Sequence, residues 1–296
     1  MRRAALDIGS QSILLLIADL EGDRLEPVRE EFFAPRLGEG LAASGRLSVE
    51  AMALAERDIV RAVELCGLHG AQEVVAVGTA AVREAANGND FVSRLRERLG
   101  IEIKVLSGVE EAELTYLGAL SGSGITGSVA VLDVGGGSTE CTVGIKGKAT
   151  GSKSAPVGAV LLSDRFGRSP GLAAAALSEL GELLAPMAEA AQGSELFGVG
   201  GSATTLASVK LGLAEYDPES VSRCSLTPRD LDRLIGRFRR LEVEEIRRLP
   251  GIDPTRADII EAGATIIRTF LELAGAGSLR VSARGLRYGL LLPGPA

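Results

Sequence analysis

The chain has 296 residues, enough for two domains with separate cores, and its 46% apolar and 24% charged content is ordinary for a soluble globular protein. A net charge of −7 argues against a general nucleic-acid binder, although a local basic cluster could still hold a polyanion. The first apolar run contains the charged residues Arg2, Arg3 and Asp7, so neither a signal peptide nor a membrane span is expected.

The cysteine and histidine content narrows the chemistry further. Three cysteines without metal-ligand spacing favour a reducing cytoplasm. The single histidine, His69, lies in a Gly-Leu-His-Gly turn, which argues against Ser-His-Asp catalysis and against multi-histidine metal sites. Carboxylates must therefore supply any acid–base chemistry.

Residue patterning in the first half predicts a three-stranded start followed by alternating helices and strands. The predicted elements are strands ending near 31–36, a helix over 48–65, a strand over 73–77, a helix over 91–99 and a strand over 101–106. Ser107 and Glu110 then have the spacing of a capping box that opens a helix to about Leu120. The small polar run 121–124 is a linker candidate, so we expect domains of residues 1–121 and 122–296.

The second half repeats this plan. Its predicted elements are strands over 129–132, 141–145 and 149–157, a helix over 172–191, a strand over 196–199 leading into a helix, helices opening at Thr227-Pro228 and Asp253-Pro254, and a strand over 280–282. We therefore predict a duplicated α/β architecture with a cleft between the two halves.

Two loops of similar design occupy corresponding places in these halves. Residues Asp7–Ser12 and Asp133–Thr139 each join two strand-like runs, and each combines a leading carboxylate with glycine and hydroxyl residues. Glycine lets backbone N–H groups surround an anion, and the carboxylate can hold a divalent cation. A plain hairpin turn is the simpler interpretation, but three consecutive glycines exceed what such a turn requires. Neither loop has the pattern of a P-loop or of a dinucleotide fold.

Several motifs together resemble the exopolyphosphatase / guanosine pentaphosphate phosphohydrolase (Ppx/GppA) family. They are Asp7–Ser12, Gly78–Ala85, Ser107–Ala112, Asp133–Glu140, Gly198–Thr205 and Ser282–Gly289. The resemblance implies two similar ribonuclease H-like domains of the actin/hexokinase/sugar-kinase superfamily. It also implies hydrolysis of a phosphoanhydride with Mg²⁺, for which Mn²⁺ could substitute, and a homodimer is an expectation from the family alone.

The resemblance assigns the catalytic base to Glu111, whereas its neighbour Glu110 already serves the capping box. Glu140 matches a second essential glutamate of the family, holding metal or water. Asp7 and Asp133 would help to coordinate the metal, and Arg83 would bind phosphate. The alternatives are that Glu110 and Glu111 only stabilise the helix dipole, that Glu140 lies on a solvated strand face and that Arg83 is an ordinary surface charge.

The remaining predicted phosphate contacts are glycines and polar residues of three turns. They are Gly9, Ser10, Gln11 and Ser12 in the first loop, Gly135, Gly136, Gly137, Ser138 and Thr139 in the second, and Gly200, Gly201 and Ser202 at a helix start. For the helix start, close helix packing is an equal alternative. Gly158 is a weaker cleft candidate, and Arg36, Lys153, Arg284 and Arg287 are candidates for a basic track along a polyanion.

Three residues depart from the family pattern, namely Gln11, Glu113 and Leu161, and the last two remove positive charge. The favoured function is release of the terminal phosphate of inorganic polyphosphate in the cytoplasm, without nucleic-acid or membrane partners. Guanosine pentaphosphate is the alternative substrate. Rivals from other classes are an ATP-dependent kinase and a non-catalytic regulator that binds nucleotide alarmones.

Overall fold

A computed structural model describes residues 1–22, 24–145, 147–167 and 174–292. Contacts divide the chain into two compact units, one of Met1–Gly122 together with a segment that begins at Leu286, and one of Ser123–Gly285. The division falls one residue from the boundary expected after residue 121. The segment from Leu286 belongs to the first unit, however, although the expected second domain of residues 122–296 includes it.

The first unit is a mixed sheet with flanking helices. Its elements are β1 (Arg2–Ile8), β2 (Ile13–Glu21), β3 (Arg24–Phe33), α1 (Leu41–Ser44), α2 (Val49–Leu68), β4 (Glu73–Gly78), α3 (Ala80–Glu84), α4 (Gly88–Leu99), β5 (Ile103–Val105) and α5 (Gly108–Leu120). The strand order is β3-β2-β1-β4-β5. The first three strands are antiparallel, whereas β4 and β5 run parallel to β1.

The second unit has the same plan with additions. Its elements are β6 (Ser128–Val134), β7 (Thr139–Ile145), β8 (Lys148–Ala155), α6 (Ala159–Phe166), α7 (Ala174–Ala191), β9 (Glu195–Val199), α8 (Gly200–Leu211), α9 (Pro218–Ser222), β10 (Ser225–Leu226), α10 (Pro228–Phe238), α11 (Val243–Ile246), a 3-10 turn (Pro254–Arg256), α12 (Ile260–Leu273) and β11 (Leu279–Val281). The strand order is β10-β11-β9-β6-β7-β8. Read from β8, it repeats the first sheet and adds β10 at the edge beside β11.

The short helix α13 (Leu286–Leu291) follows β11 and packs within the first unit. It lies against α5, where a Cβ on Gly289 would stand 1.9 Å from the Leu114 carbonyl oxygen. Only a residue without a side chain permits this approach, so the contact fixes α13 tightly on α5.

Each sheet buries its own core. In the first unit Leu15, Ile59 and Phe91 are fully buried among the sheet, α2 and α4. In the second unit Leu206 and Phe270 are buried on α8 and α12. Among the described residues, no helix has both the length and the apolar content needed to cross a bilayer.

These observations confirm the predicted α/β class and the duplication. Ser107 and Thr227 accept hydrogen bonds at the starts of α5 and α10, as their spacing suggested, and Ser48 also caps α2. The helix expected at Asp253 is a correction, because Asp253 caps only the short 3-10 turn and α12 begins at Ile260. The expected start of a helix near residue 172 lies outside the described residues, which resume with α7.

Candidate active site

The two glycine loops have equivalent backbone geometry in their separate units. The Gly9 N–H donates to the Ser12 carbonyl at 2.9 Å, and the Gly135 N–H donates to the Ser138 carbonyl at 3.0 Å. Each loop therefore closes a hairpin, β1–β2 in one unit and β6–β7 in the other. The predicted strand–turn–strand pattern is confirmed in both places.

In the first unit the carboxyl ends of three parallel strands bring together the predicted polar residues. Asp7 stands near the end of β1, Arg83 follows β4 on α3, and Glu111 follows β5 on α5. The Thr79 N–H donates to the Ile8 carbonyl at 3.2 Å, which ties the β4 end to the first loop. Since parallel strands present their carboxyl ends at one sheet edge, this edge forms the first unit's candidate site.

Glu111 and Glu110 have different surroundings. Arg83 Nη1 donates to Glu111 Oε2 at 2.8 Å and also to the Leu106 carbonyl at 2.9 Å. Glu110 instead accepts from the Ser107 backbone N–H at 2.9 Å, as the capping box requires, and from Lys104 at 2.6 Å. The separation of the two glutamates predicted from the capping box is confirmed.

The electrostatics follow these surroundings. Burial raises the pKa of Asp7 to about 7, the nearby Glu111 charge adds to this effect, and Arg287 opposes it. Burial also raises the pKa of Glu111, against the lowering effect of the hydrogen bond from Arg83. Lys104 and Ser107 lower the pKa of Glu110 to about 2. Two carboxyls of elevated pKa thus lie near each other, a pattern common at catalytic sites.

One oxygen of Asp7 is suited to a ligand. Asp7 Oδ1 is buried and makes no hydrogen bond with the described residues, which leaves a polar atom in need of a partner. The described residues contain no group of three or more His, Cys, Asp or Glu side chains able to enclose a metal. The donor set fits a hard cation such as Mg²⁺, which takes one or two carboxylates and completes its shell with water and phosphate.

The segment after β3, residues 36–38, holds the first glycine loop through backbone hydrogen bonds. The Gly38 N–H donates to the Ser10 carbonyl at 2.8 Å, and the Arg36 N–H donates to the Gln11 carbonyl at 3.2 Å. Arg36 has a φ of 52°, in the left-handed region that costs an arginine about 1 kcal/mol. Between them Leu37 is fully buried. This strained contact holds the loop that carries the predicted Gly9–Ser12 phosphate contacts.

In the second unit, Asp133 and Glu140 are cross-strand partners on β6 and β7, so they share one face of the sheet. Glu140 Oε1 accepts a hydrogen bond from the Ser154 hydroxyl at 2.9 Å. A Cβ on Gly200 would stand 2.3 Å from Asp133 Oδ1, and Gly200 has a φ of +76°. The Asp133 carboxylate therefore lies directly against the turn that opens α8. Asp133 and Glu140, two of the predicted metal ligands, thus lie close together within the second unit.

Two predicted phosphate contacts in this unit are buried and already bonded. Thr139 is fully buried and donates its hydroxyl to the Val157 carbonyl at 2.6 Å. Ser202 is 2% exposed and donates its hydroxyl to the Val134 carbonyl at 3.0 Å. The Thr139 hydroxyl thus ties β7 to the segment before α6, and the Ser202 hydroxyl ties α8 to β6. Their contact with phosphate stays a prediction.

The glycines of the second loop are packed by α6. The Ala159 and Val160 N–H groups donate to the Gly135 and Gly136 carbonyls at 2.8 and 2.9 Å. A Cβ on Gly158 would stand 2.4 Å from the Gly136 carbonyl oxygen, so glycine is required there. Gly158 therefore lets the start of α6 pack directly against the backbone of the second glycine loop.

Arg256 lies at the glycine turn that opens α8, although it is not among the residues predicted from the sequence. A Cβ on Gly201 would stand 1.9 Å from Arg256 Cζ, so the guanidinium lies on the glycine turn at the start of α8. Its side chain is 14% exposed and pairs with Asp253 at 3.3 Å. Nothing local in the sequence indicated this contact, because more than 50 positions separate Arg256 from Gly201. For Gly201 the close-packing alternative explains the glycine.

Two of the candidates for a basic track, Lys153 and Arg287, make contacts within their own units. Lys153 donates to the Pro186 carbonyl at 2.8 Å. Arg287 donates to the Leu15 carbonyl at 2.9 Å and pairs with Glu30 at 3.0 Å, with 14% of its side chain exposed. These two cations therefore have structural partners within their own units.

The duplicated fold and its paired loops define the class of the protein, which is an α/β protein of two similar units with carboxylates at its strand ends. The family model for the Ppx/GppA phosphatase family matches residues 16–293. The chain belongs to this family, which implies a phosphoanhydride hydrolase.

Individual relatives agree with this assignment. The chain is 33% identical to exopolyphosphatase 2 of Mycobacterium tuberculosis over 316 aligned positions, covering 98% of each chain. It is 30% identical to exopolyphosphatase 1 of Mycobacterium leprae, covering 99% of this chain and 89% of the relative. The crystal structure of the Aquifex aeolicus member of the family superposes with a TM-score of 0.84 at 30% identity, over 98% of this chain and 96% of that one. An exopolyphosphatase from Cytophaga hutchinsonii gives a TM-score of 0.87 at 26% identity, over 98% and 96%.

Proposed function

We propose that the protein is an exopolyphosphatase, which hydrolyses the terminal phosphoanhydride of inorganic polyphosphate and releases orthophosphate. The observation that carries the proposal is the Arg83–Glu111 contact at the first unit's sheet edge, with Asp7 beside it. The relatives named exopolyphosphatase support polyphosphate as the substrate.

Glu111 would orient the attacking water and accept its proton. Burial raises the pKa of Glu111, which makes it a stronger base than an exposed glutamate. Arg83 holds the carboxylate in place, and the N–H groups of the Gly9–Ser12 loop would bind the terminal phosphate. The proton passes to Glu111 as the water oxygen bonds to phosphorus and the bridging oxygen leaves with the shortened chain.

We further propose Mg²⁺, with Mn²⁺ as a substitute, at the loop carboxylates. Asp7 would hold the ion in the first unit through its unpartnered oxygen, and Asp133 with Glu140 would do so in the second. When bound, the ion supplies charge neutralisation to the phosphate oxygens.

The test is phosphate release from long-chain polyphosphate, guanosine pentaphosphate and ATP, each with and without Mg²⁺. The matched pair of variants is Glu111→Gln and Glu110→Gln, because glutamine retains the capping box at position 110. We expect release from polyphosphate that falls at least about 100-fold in Glu111→Gln and changes less than about twofold in Glu110→Gln.

Each other outcome has a defined meaning. Preferred turnover of guanosine pentaphosphate would replace the substrate but retain the mechanism. Phosphate transfer from ATP only when an acceptor is present would indicate a kinase. Binding without release from any substrate would indicate a regulator and end the hydrolase proposal, whereas undiminished release by Glu111→Gln would remove Glu111 from the mechanism.

A further inference from the structure

Helix α10 of the second unit carries an unusual outer face. Its inner face is apolar and buried, with Leu231, Leu234, Ile235 and Phe238. The exposed arginines on the outer face, here called the arginine stripe, are Arg229, Arg233 and Arg237 on α10 and Arg240 in the turn that follows. At about 100° per residue the three arginines on α10 fall within an arc of about 80°, opposite the buried face. The three arginines on α10 span about 12 Å along the helix axis.

The charge of the stripe is not neutralised by its surroundings. None of the four guanidinium groups makes a hydrogen bond or an ion pair with another residue of the described chain, whereas Arg239 and Arg268 nearby do. The acidic residues of α10 are engaged elsewhere, since Asp230 caps the helix and accepts from Lys210, and Asp232 accepts from Arg268. The chain has a net charge of −7, so the stripe is a local patch of positive charge on an acidic protein.

One end of the arginine stripe lies at the same end of the second unit as the Asp133 loop. Arg239 pairs with Glu261 at the start of α12, and Arg268 further along α12 pairs with Asp232 on α10, both at 2.8 Å. The two helices are therefore antiparallel. A Cβ on Gly263 of α12 would stand 2.9 Å from Ser202 Oγ at the start of α8. The last arginines of the stripe thus lie at the end of the unit where α8 opens beside Asp133.

We propose that the arginine stripe is a secondary binding site for polyphosphate, which holds phosphates remote from the terminal one. The proposal rests on the proposed exopolyphosphatase function and adds chain-length selectivity to it. Arginine suits this task because its guanidinium donates to phosphate oxygens in a planar fork and stays charged at every physiological pH. A linear polyanion can contact all four groups at once, so that individually weak exposed contacts add up.

The stripe variant combines Arg229→Gln, Arg233→Gln, Arg237→Gln and Arg240→Gln. The control variant removes the same charge from exposed arginines of the first unit, through Arg24→Gln, Arg46→Gln, Arg57→Gln and Arg96→Gln. Both sets lie on the surface, so we expect both variants to fold, with melting temperatures close to that of the wild type.

Steady-state kinetics on a long chain and on tripolyphosphate separate the two kinds of contact. For the stripe variant, we expect the KM for long polyphosphate to rise about tenfold with kcat unchanged, because four exposed pairs at a few tenths of a kcal/mol are lost. Its KM for tripolyphosphate, which has few phosphates beyond the hydrolysed one, stays within about twofold of the wild-type value. The control variant keeps both KM values.

Direct binding of long polyphosphate to the intact chain in EDTA makes the test independent of turnover. A weaker Kd for the stripe variant than for the control supports the stripe even if no phosphate is released and the exopolyphosphatase proposal fails. Equal Kd and KM values for the two variants would overturn the inference, as would an equal loss on tripolyphosphate. Tighter binding of single-stranded RNA than of polyphosphate at the stripe would also overturn it, in favour of a nucleic-acid surface.

Discussion

Arg83 donates from a single nitrogen to the Glu111 carboxylate at 2.8 Å and to the Leu106 carbonyl at 2.9 Å. Leu106 directly follows β5, and Glu111 lies in the first turn of α5. The arginine therefore fixes the carboxylate with respect to the strand end from which the site is built. The family resemblance predicts a phosphate contact for Arg83, and its contact with Glu111 is a positioning one.

Removing Arg83 should impair chemistry more than binding. We expect Arg83→Ala to lower kcat about 100-fold, because Glu111 loses the group that orients it. Arg83 also lowers the pKa of Glu111, so its loss raises that pKa further and moves the acid limb of kcat/KM to higher pH. The pH–rate profile checks this shift. Arg83→Lys keeps the charge and should recover part of kcat, and an unmoved acid limb in Arg83→Ala would contradict the positioning role.

Asp7→Asn should make the ligand-free protein more stable at neutral pH. The pKa of Asp7 is raised from 3.8 to about 7 by folding, so between these values the folded state binds the extra proton. Stability from this group is therefore present at low pH and lost as pH rises toward 7. Asparagine is neutral throughout, so its advantage over aspartate should grow to the order of 4 kcal/mol between pH 4 and pH 7.5.

Urea unfolding in EDTA at several pH values measures this difference. Comparing the variant with the wild type at each pH cancels the other carboxylates, such as Asp230 with its lowered pKa, whose contributions change in the opposite direction. A difference that does not vary with pH would show that Asp7 is ionised in the folded protein. Phosphate release by Asp7→Asn should fall steeply despite its greater stability.

Ser107→Ala should destabilise the start of α5. The Ser107 hydroxyl accepts from the Glu110 N–H at 3.2 Å, and its loss leaves that donor without a cap. We expect a decrease of about 1 kcal/mol in the free energy of unfolding, measured by urea denaturation. Ser107→Thr retains the hydroxyl and should restore most of the loss. Equal stability of the alanine and threonine variants would mean that the box contributes nothing.

Gly158→Ala should disturb the second loop. The added Cβ would stand 2.4 Å from backbone atoms of Gly136, and backbone cannot move aside as a side-chain end can. We expect a loss of about 1–3 kcal/mol together with reduced phosphate release. Gly181→Ala on α7 is the matched control, since nothing lies within 4 Å of its added Cβ, and it should leave stability equal or higher. Thermal unfolding of both variants decides between packing and a general glycine effect.

Sequence alone predicted those features that local rules control. The closed loops at Gly9 and Gly135 and the division of labour between Glu110 and Glu111 depend on residues within a few positions of one another. Contacts between distant segments were missed, because no local pattern encodes them. Arg256 reaches Gly201 only through the fold, and the Thr139 hydroxyl meets the Val157 carbonyl 18 positions further along the chain.

The arginine stripe could be predicted from the sequence only in part. Its spacing of four residues between Arg229, Arg233 and Arg237 is visible in the sequence, within a helix whose start was correctly predicted. Spacing alone could not show whether acidic neighbours neutralise these charges. That information requires the partners of Asp230 and Asp232, which lie on other elements.

The seating of α13 on α5 links the order of synthesis to the acquisition of activity. Helix α5 carries Glu111, yet its packing partner Gly289 is translated more than 160 residues after it, once the whole of Ser123–Gly285 has emerged. A growing chain therefore has every other described element before it can close the contact with the Leu114 carbonyl. The helix that carries Glu111 is therefore supported last, so a nascent chain has both glycine loops before α5 is fully packed.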